Sequence, residues 1–460
     1  METGPHRAAT PALMTTLSGA TLLASLGISI ATIALPTLAR SFPVTLAELQ
    51  WVILAYLLSM TVTIVSAGRL GDLYGPRHVL LLGLALFTAA SILCAVSPNL
   101  AVLIAGRALQ GVGGAIITAL PMSIARDAVP EDRMGATMGL LGTMSAAGTA
   151  LGPSLGGILM AYLGWQAAFF LLATGGAAIV MIALRALPAG RPGVEPKPRM
   201  DWLGTSLLAL ALGFYALAAT GSGTAILLLP ATLVFVVFLR VQMRAPSPLI
   251  PLSLVRGRFI GTGLAMNLLL GTVMMSTLVV GPFFLSFALG LDETVTGLVM
   301  AVGPVTAAFA GAPAGRIVDR LGADRARLLG LVETIAGFLC LALLPRWLGM
   351  AGYVGALIVL TPGFQLFLAA NNASVMVAAP AAQRGVLSGL LGLSRNLGLL
   401  TGASVMATIF TALLGTGQIA EASTAGIGTA FTASFLISAG LAAVAMALAL
   451  LGRRSAVRAA

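Results

Sequence analysis

Long apolar runs, interrupted by short clusters of charge, proline and glycine, follow one another along the whole chain. Cut at those clusters, the sequence gives fourteen runs near 13–38, 49–69, 79–97, 101–124, 134–161, 165–186, 202–221, 225–242, 259–287, 293–314, 326–345, 349–375, 384–413 and 430–452. A helix needs about 20 apolar residues to cross a hydrocarbon core ~30 Å thick, and the runs are close to or above that length. None alternates with the period of two that marks a barrel strand, so each is expected to satisfy its own backbone hydrogen bonds as a helix. The predicted fold class is all-α: a polytopic membrane protein with fourteen transmembrane helices.

Composition agrees with this pattern. Of 460 residues, 58% are apolar and 8% are charged, against the ~25% charge of an ordinary soluble domain. Too few charges remain to cover a surface facing water, so the lipid bilayer is the expected surroundings. The net charge of +11 does not read as a nucleic-acid partner, because such proteins gather their cations on one solvated face. Here the cations sit in short clusters between runs. With the N-terminus in the cytoplasm, 21 of the 25 basic residues fall in cytoplasmic gaps and tails or at the cytoplasmic edges of runs, two (Arg40 and Arg346) fall outside, and two (Arg107 and Arg395) fall deeper within spans. That asymmetry follows the positive-inside rule and predicts a multi-pass protein of the cell membrane with both termini cytoplasmic. The first run is longer than a signal-peptide core and reads as a retained helix. The two cysteines, Cys94 and Cys340, lie inside apolar runs and predict neither a disulfide framework nor a zinc site. No metal, cofactor or obligatory protein partner is expected.

The chain also repeats itself. Gly68-Arg69-Leu70-Gly71-Asp72-Leu73-Tyr74-Gly75-Pro76-Arg77 follows the second run, and Gly315-Arg316-Ile317-Val318-Asp319-Arg320-Leu321-Gly322 follows the tenth, with the two aspartates 247 residues apart. Duplication of this kind is typical of transporters in which two homologous bundles rock about a midplane site. It predicts a six-helix bundle at 13–186, a linker with two inserted helices at 187–258, and a second six-helix bundle at 259–452. The organisation is 6 + 2 + 6.

The loop pattern resembles the signature of the major facilitator superfamily. Further stretches resemble motifs of its fourteen-helix drug:proton antiporter branch, the EmrB/QacA type. They are Ala34-Leu35-Pro36-Thr37, Leu49-Gln50-Trp51 with Ala55-Tyr56, the run from Arg107 to Gly114, the glycines Gly148, Gly152, Gly156 and Gly157 around Pro153, and Ser388-Gly389 with Arg395-Asn396-Leu397-Gly398. The resemblance covers nearly the whole chain. It implies a secondary transporter that works by alternating access, exports small amphipathic compounds such as drugs, antibiotics or metabolites, and takes up protons in exchange. A facilitator or proton symporter on the same fold is the alternative. A receptor or enzyme without transport is the remaining one.

Named residues carry these expectations. Gly68, Asp72, Gly75, Arg77 and Arg126, with Asp319 as the weaker counterpart, can pair charges at a helix end and latch the two bundles; the resemblance implies that role. Arginines inside a membrane must face a cavity or a partner, which makes Arg107 and Arg395 candidates for a proton or charge relay. Gly148, Gly152, Gly156 and Gly157 admit close helix packing and Pro153 permits a bend, a hinge facing the other bundle. Members of this branch carry an aspartate in the first helix where this chain has Gly27, and an asparagine where it has Thr32. Glu333 is the one carboxylate placed inside a span and the substitute candidate for carrying a proton. Without a first-helix acid, neutral or anionic amphipaths become as suitable as lipophilic cations. Tyr56, Gln110, Asn267, Met274, Gln365 and Asn371 are the candidate cavity groups. Gly152-Pro153-Ser154-Leu155-Gly156 matches a hydrolase pattern, but the only histidines are His6 and His78 and no triad can be assembled.

Overall fold

The computed structural model describes residues 11–42, 44–129, 131–187, 201–220, 224–245, 248, 258–377, 384–415, 419 and 422–459. Among the described residues all regular structure is helical. The first eight helices are α1 (Pro11–Ser41), α2 (Leu46–Tyr74), α3 (Pro76–Ala95), α4 (Leu100–Ala128), α5 (Glu131–Leu163), α6 (Trp165–Ala186), α7 (Trp202–Thr220) and α8 (Leu228–Arg244). Next come α9 (Arg258–Phe283) and α10 (Glu293–Leu321), and the chain closes with α13 (Arg384–Leu414) and α14 (Thr424–Ala459). Between them Ala323–Val377 leaves helical space at Gly349, with φ 52° and ψ −130°, and so forms α11 (323–348) and α12 (350–377). Among the described residues, fourteen α-helices thus stand where the sequence gives fourteen apolar runs. Eleven continuous helical stretches are long and apolar enough to cross a membrane, the broken one included, and α7 is a shorter apolar helix.

Local chemistry sets the helix ends. Thr45 and Glu48 form a reciprocal capping box at the start of α2, which satisfies two backbone donors the helix itself cannot. Asn99 and Asp292 cap α4 and α10 through their side chains. The duplicated loop adopts the same backbone in both copies: Gly75 has φ 88° and ψ 131°, and Gly322 has φ 80° and ψ 152°. A side chain is strained at those values, so glycine is required at both. Several helices outrun their apolar segments. α14 starts at Thr424 rather than 430, for example, because helical hydrogen bonding continues into the polar flank. α9 passes into a π-helical turn, Phe284–Ala288, just after Pro282, where the missing N–H disturbs the regular ladder.

Helix neighbours follow the repeat. α1 packs on α5 and α6, α2 on α4, and α3 on α4 and α6; α9 packs on α13 and α14, α10 on the α11–α12 stretch, and that stretch on α14. The two sets meet where α5 packs on α10, α2 on α13 and α1 on α9. α7 packs on α8, α2 and α13. Ser66 and Thr205 are hydrogen-bonded at 3.2 Å between α2 and α7. Gln242 of α8 donates to Asp201, just ahead of α7, at 2.6 Å.

Candidate functional site

Arg107 is 1% exposed and sits at the meeting point of α1, α2, α3, α4 and α6. Its Nε donates to the carbonyl of Val52 at 2.9 Å and a terminal nitrogen donates to the carbonyl of Gly27 at 3.1 Å. The same nitrogen bonds the side-chain oxygen of Gln110, whose amide donates to Ser91 at 2.7 Å. The guanidinium lies 4.3 Å from the ring centroid of Tyr56 and 6.0 Å from that of Phe169. A buried cation is tolerated only when its donors are satisfied, and here carbonyl dipoles and aromatic faces do so. No described carboxylate pairs with it.

The glycines that follow Arg107 explain how α4 comes close enough. A Cβ at Gly111 would strike the backbone of Tyr56, one at Gly113 would come within 2.7 Å of Phe87 N, and one at Gly114 would strike the Tyr56 ring. Gly27 occupies the same knot, with a Cβ position 2.9 Å from Phe87 Cζ and 3.7 Å from the Tyr56 hydroxyl. The position that carries an acid in the antiporter pattern is therefore filled by a neighbouring ring, and Arg107 bonds its backbone instead. Thr32 is buried and donates to the carbonyl of Ser29 at 2.7 Å.

The α5 glycines divide between two partners. A Cβ at Gly148 would strike the carbonyl of Leu22, one at Gly152 would strike Ser29, and one at Gly156 would lie 2.8 Å from Ile30, all on α1. Ser25 and Ser145 share a 2.8 Å hydrogen bond on that same seam. Gly157 turns the other way, and its Cβ position lies 3.0 Å from Gly297 Cα on α10. Gly297 in turn abuts the carbonyl of Pro153. Beside this crossing, at the end where α1 finishes, Arg40 bonds Glu293 at 2.6 Å and Ser286 at 2.7 Å and covers the Phe287 ring at 5.0 Å.

An all-helical chain among the described residues, a duplicated loop and a glycine seam that joins α5 to α10 describe a known architecture. The family model described as the Major Facilitator Superfamily matches residues 17–403. The chain belongs to the Major Facilitator Superfamily. Among superfamily relatives it is 31% identical over 403 residues to the transporter YebQ of Escherichia coli K12, covering 85% of this chain and 88% of that one. It is 28% identical over 458 residues to the tetracenomycin C resistance and export protein of Streptomyces glaucescens, covering 97% and 84%. The crystal structure of the peptide transporter POT in complex with sulfate shares the fold, with a TM-score of 0.74 at 16% identity over 99% of this chain and 96% of that one. The chain is thus a multi-pass superfamily transporter.

The remaining expected residues fall in several settings. In the superfamily loop, Gly68 faces open space, Gly75 makes the turn, and Arg77 donates to the Leu184 carbonyl near the end of α6 at 3.3 Å. The side chains of Asp72 and Arg126 lie outside the described residues. Asp319 is exposed and makes no ion pair with a described residue. Glu333 is half-buried, with its stem against Gly363 of α12, where a Cβ would come within 2.7 Å. Tyr56 and Gln110 belong to the Arg107 knot. Asn267 and Asn371 are buried ties, donating to the carbonyls of Leu391 at 2.8 Å and Gly263 at 3.1 Å. Met274 and Gln365 are half-buried, and Arg395 is exposed. Sequence reasoning did not single out Ser91, Ser25, Ser145, Arg40 or Glu293 for these roles.

Proposed function

We propose that the protein is an exporter of small amphipathic compounds in the fourteen-helix drug:proton antiporter branch, working by alternating access. Residues 13–186 and 259–452 act as the two rocking bundles, with 187–258 carrying the inserted pair. The observation that carries this reading is the crossing of α5 on α10. Gly157 meets Gly297 without side chains between them, and Arg40 ties to Glu293 at the same end. A close backbone contact centred on two glycines, backed by one ion pair, can open and reclose without repacking large side chains there. Gly148, Gly152 and Gly156 keep α5 attached to α1, while Pro153 and Gly157 supply the movable contact with α10. The Gly68-to-Arg77 loop, with Asp72 and Arg126, is the latch for the opposite end, and Asp319 is its weaker copy. The end where α1 begins faces the cytoplasm, both termini included, in the cell membrane. The tetracenomycin C resistance and export protein, similar over 97% of this chain, supports export.

Proton exchange is assigned to Glu333, with Arg107 and Arg395 balancing charge. Reconstituted vesicles with a pH-sensitive dye inside test the reading: addition of a transported compound is expected to move protons in the opposite direction. Substrate movement without any pH change rejects antiport. It favours instead a facilitator, the reading supported by Gly27, whose acid position Phe87 fills. Asp72→Asn is the control, expected to cut transport while leaving expression intact.

A further inference from the structure

The repeat places α5 and α13 in the same relation to α1 and α9. A Cβ at Gly148 would strike the carbonyl of Leu22 and one at Gly152 would strike Ser29; one at Gly398 would strike the carbonyl of Leu268 and one at Gly402 that of Thr272. Three residues before the first glycine of each pair stand Ser145 and Arg395. Ser145 is bonded to Ser25 across the seam. On α9 the matching position is Gly271, whose Cβ position lies 2.9 Å from the Arg395 carbonyl oxygen. The register therefore sets a hydrogen-bonded serine pair in one half against a glycine and an arginine in the other.

Arg395 uses the space that exchange leaves. It lies within the apolar stretch Leu390–Leu414 and makes no hydrogen bond or ion pair with a described residue. On a helix, residues seven and eleven positions on fall on the same stripe. The stripe is covered at Gly402 and Met406 and exposed at Arg395. Next to it, Leu391, Ser394 and Gly398 all contact α9. Arg395 thus stands exposed beside the α9 seam.

We infer that Arg395 is the recognition site for an anionic group, a carboxylate or phosphate, on the transported compound. A guanidinium is permanently charged and offers a planar fork that fits such oxyanions with two parallel hydrogen bonds. In a cleft within the membrane it repels lipophilic cations. Arg107 does not serve, because it is 1% exposed and its Nε and one terminal nitrogen are committed to Val52, Gly27 and Gln110. Glu333 does not neutralise Arg395, since it packs on α12. The inference rests on the transporter reading for its meaning, but binding can be measured apart from transport.

The test uses the purified full chain in detergent and a panel of aromatic carboxylates of increasing ring number, each with its methyl ester and a quaternary ammonium counterpart. Tryptophan quenching and thermal shift report binding, and inverted vesicles report accumulation. The carboxylates are expected to bind roughly tenfold or more tightly than their esters, the size of a charge-assisted pair. Arg395→Gln is expected to abolish that preference and Arg395→Lys to retain part of it. No preference for the anion in the wild-type chain, or an equal preference in a folded Arg395→Gln, overturns the site. If Arg395→Gln does not fold, an Arg395→Lys chain with undiminished preference does so. Selective binding without accumulation rejects the transporter reading and leaves the site standing.

Discussion

Arg40 and Glu293 stand 253 residues apart in the chain, yet their side chains meet at 2.6 Å, the guanidinium at the end of α1 and the carboxylate in the first turn of α10. They are 44% and 25% exposed, so the pair contributes about 0.2–1 kcal/mol. That is small for folding but enough to tilt a balance between two conformations. Arg40→Ala and Glu293→Gln are each expected to leave thermal stability unchanged and to separate the ends of α1 and α10. Spin labels at Ser41 and Val295 read that distance. The charge-swapped double variant is expected to restore the short population, and identical distance distributions in all variants would dismiss the pair as a closing contact.

The glycines at the α1–α5 contact and at the α5–α10 contact each have a test. Gly152→Ala drives a methyl group into Ser29 and is expected to cost about 1–3 kcal/mol through overpacking, seen as a lower melting temperature. Gly297→Ala, on α10, puts its methyl group against the Pro153 carbonyl and is expected to push α10 away from α5 and to cut transport roughly tenfold or more. Gly142→Ala, with nothing near its Cβ position, serves as the neutral comparison in the same helix.

Arg107→Ala leaves the carbonyls of Val52 and Gly27 and the side chain of Gln110 without their donor. Each uncompensated buried group costs about 1–3 kcal/mol, so the variant is expected to express poorly and melt well below wild type. Arg107→Lys is expected to recover only part of the loss, because one ammonium cannot reach the carbonyls of two helices in the same geometry. A melting curve equal to wild type for Arg107→Ala would show the network to be dispensable.

Gly27→Asp tests why the first-helix acid is absent. Alone, the new side chain collides with Phe87 and is expected to destabilise the chain. Combined with Phe87→Ala it has room beside Arg107, and the pair is expected to fold and to gain transport of a lipophilic cation such as ethidium. Dye accumulation in vesicles measures the gain; a stable double variant that still excludes ethidium would sever cation transport from this position.

Glu333→Gln keeps the shape of the side chain against Gly363 and removes the titrating proton. It is expected to leave melting unchanged and to uncouple transport from an imposed pH gradient. Retained pH-driven transport would remove Glu333 from the proton pathway.

The helices were legible from the sequence because lipid demands a long apolar run for every crossing, and the repeat was legible because both copies of the loop need glycine at Gly75 and Gly322. The knot around Arg107 was only half visible. Its partners are largely main-chain carbonyls, those of Val52 and Gly27, and a carbonyl leaves no mark on residue identity. Arg40 was counted as a loop charge, since nothing local points to Glu293. Asn267 and Asn371 looked like cavity groups because an amide in an apolar run can serve a ligand or a neighbouring helix equally well. Their amide nitrogens serve neighbouring helices, bonded to Leu391 and Gly263, while their side-chain oxygens have no partner among the described residues.

The charge on Arg107 is balanced by dipoles rather than by a described carboxylate, and this has an electrical consequence. A full unit of charge stays fixed within the first six helices as the protein alternates. In the proposed alternating-access cycle, that charge crosses part of the membrane potential each time the aqueous access changes sides. A complete crossing is worth about 2.3 kcal/mol per 100 mV, so even a fraction makes the resting voltage a participant in the cycle, acting on the carrier whether or not anything is bound.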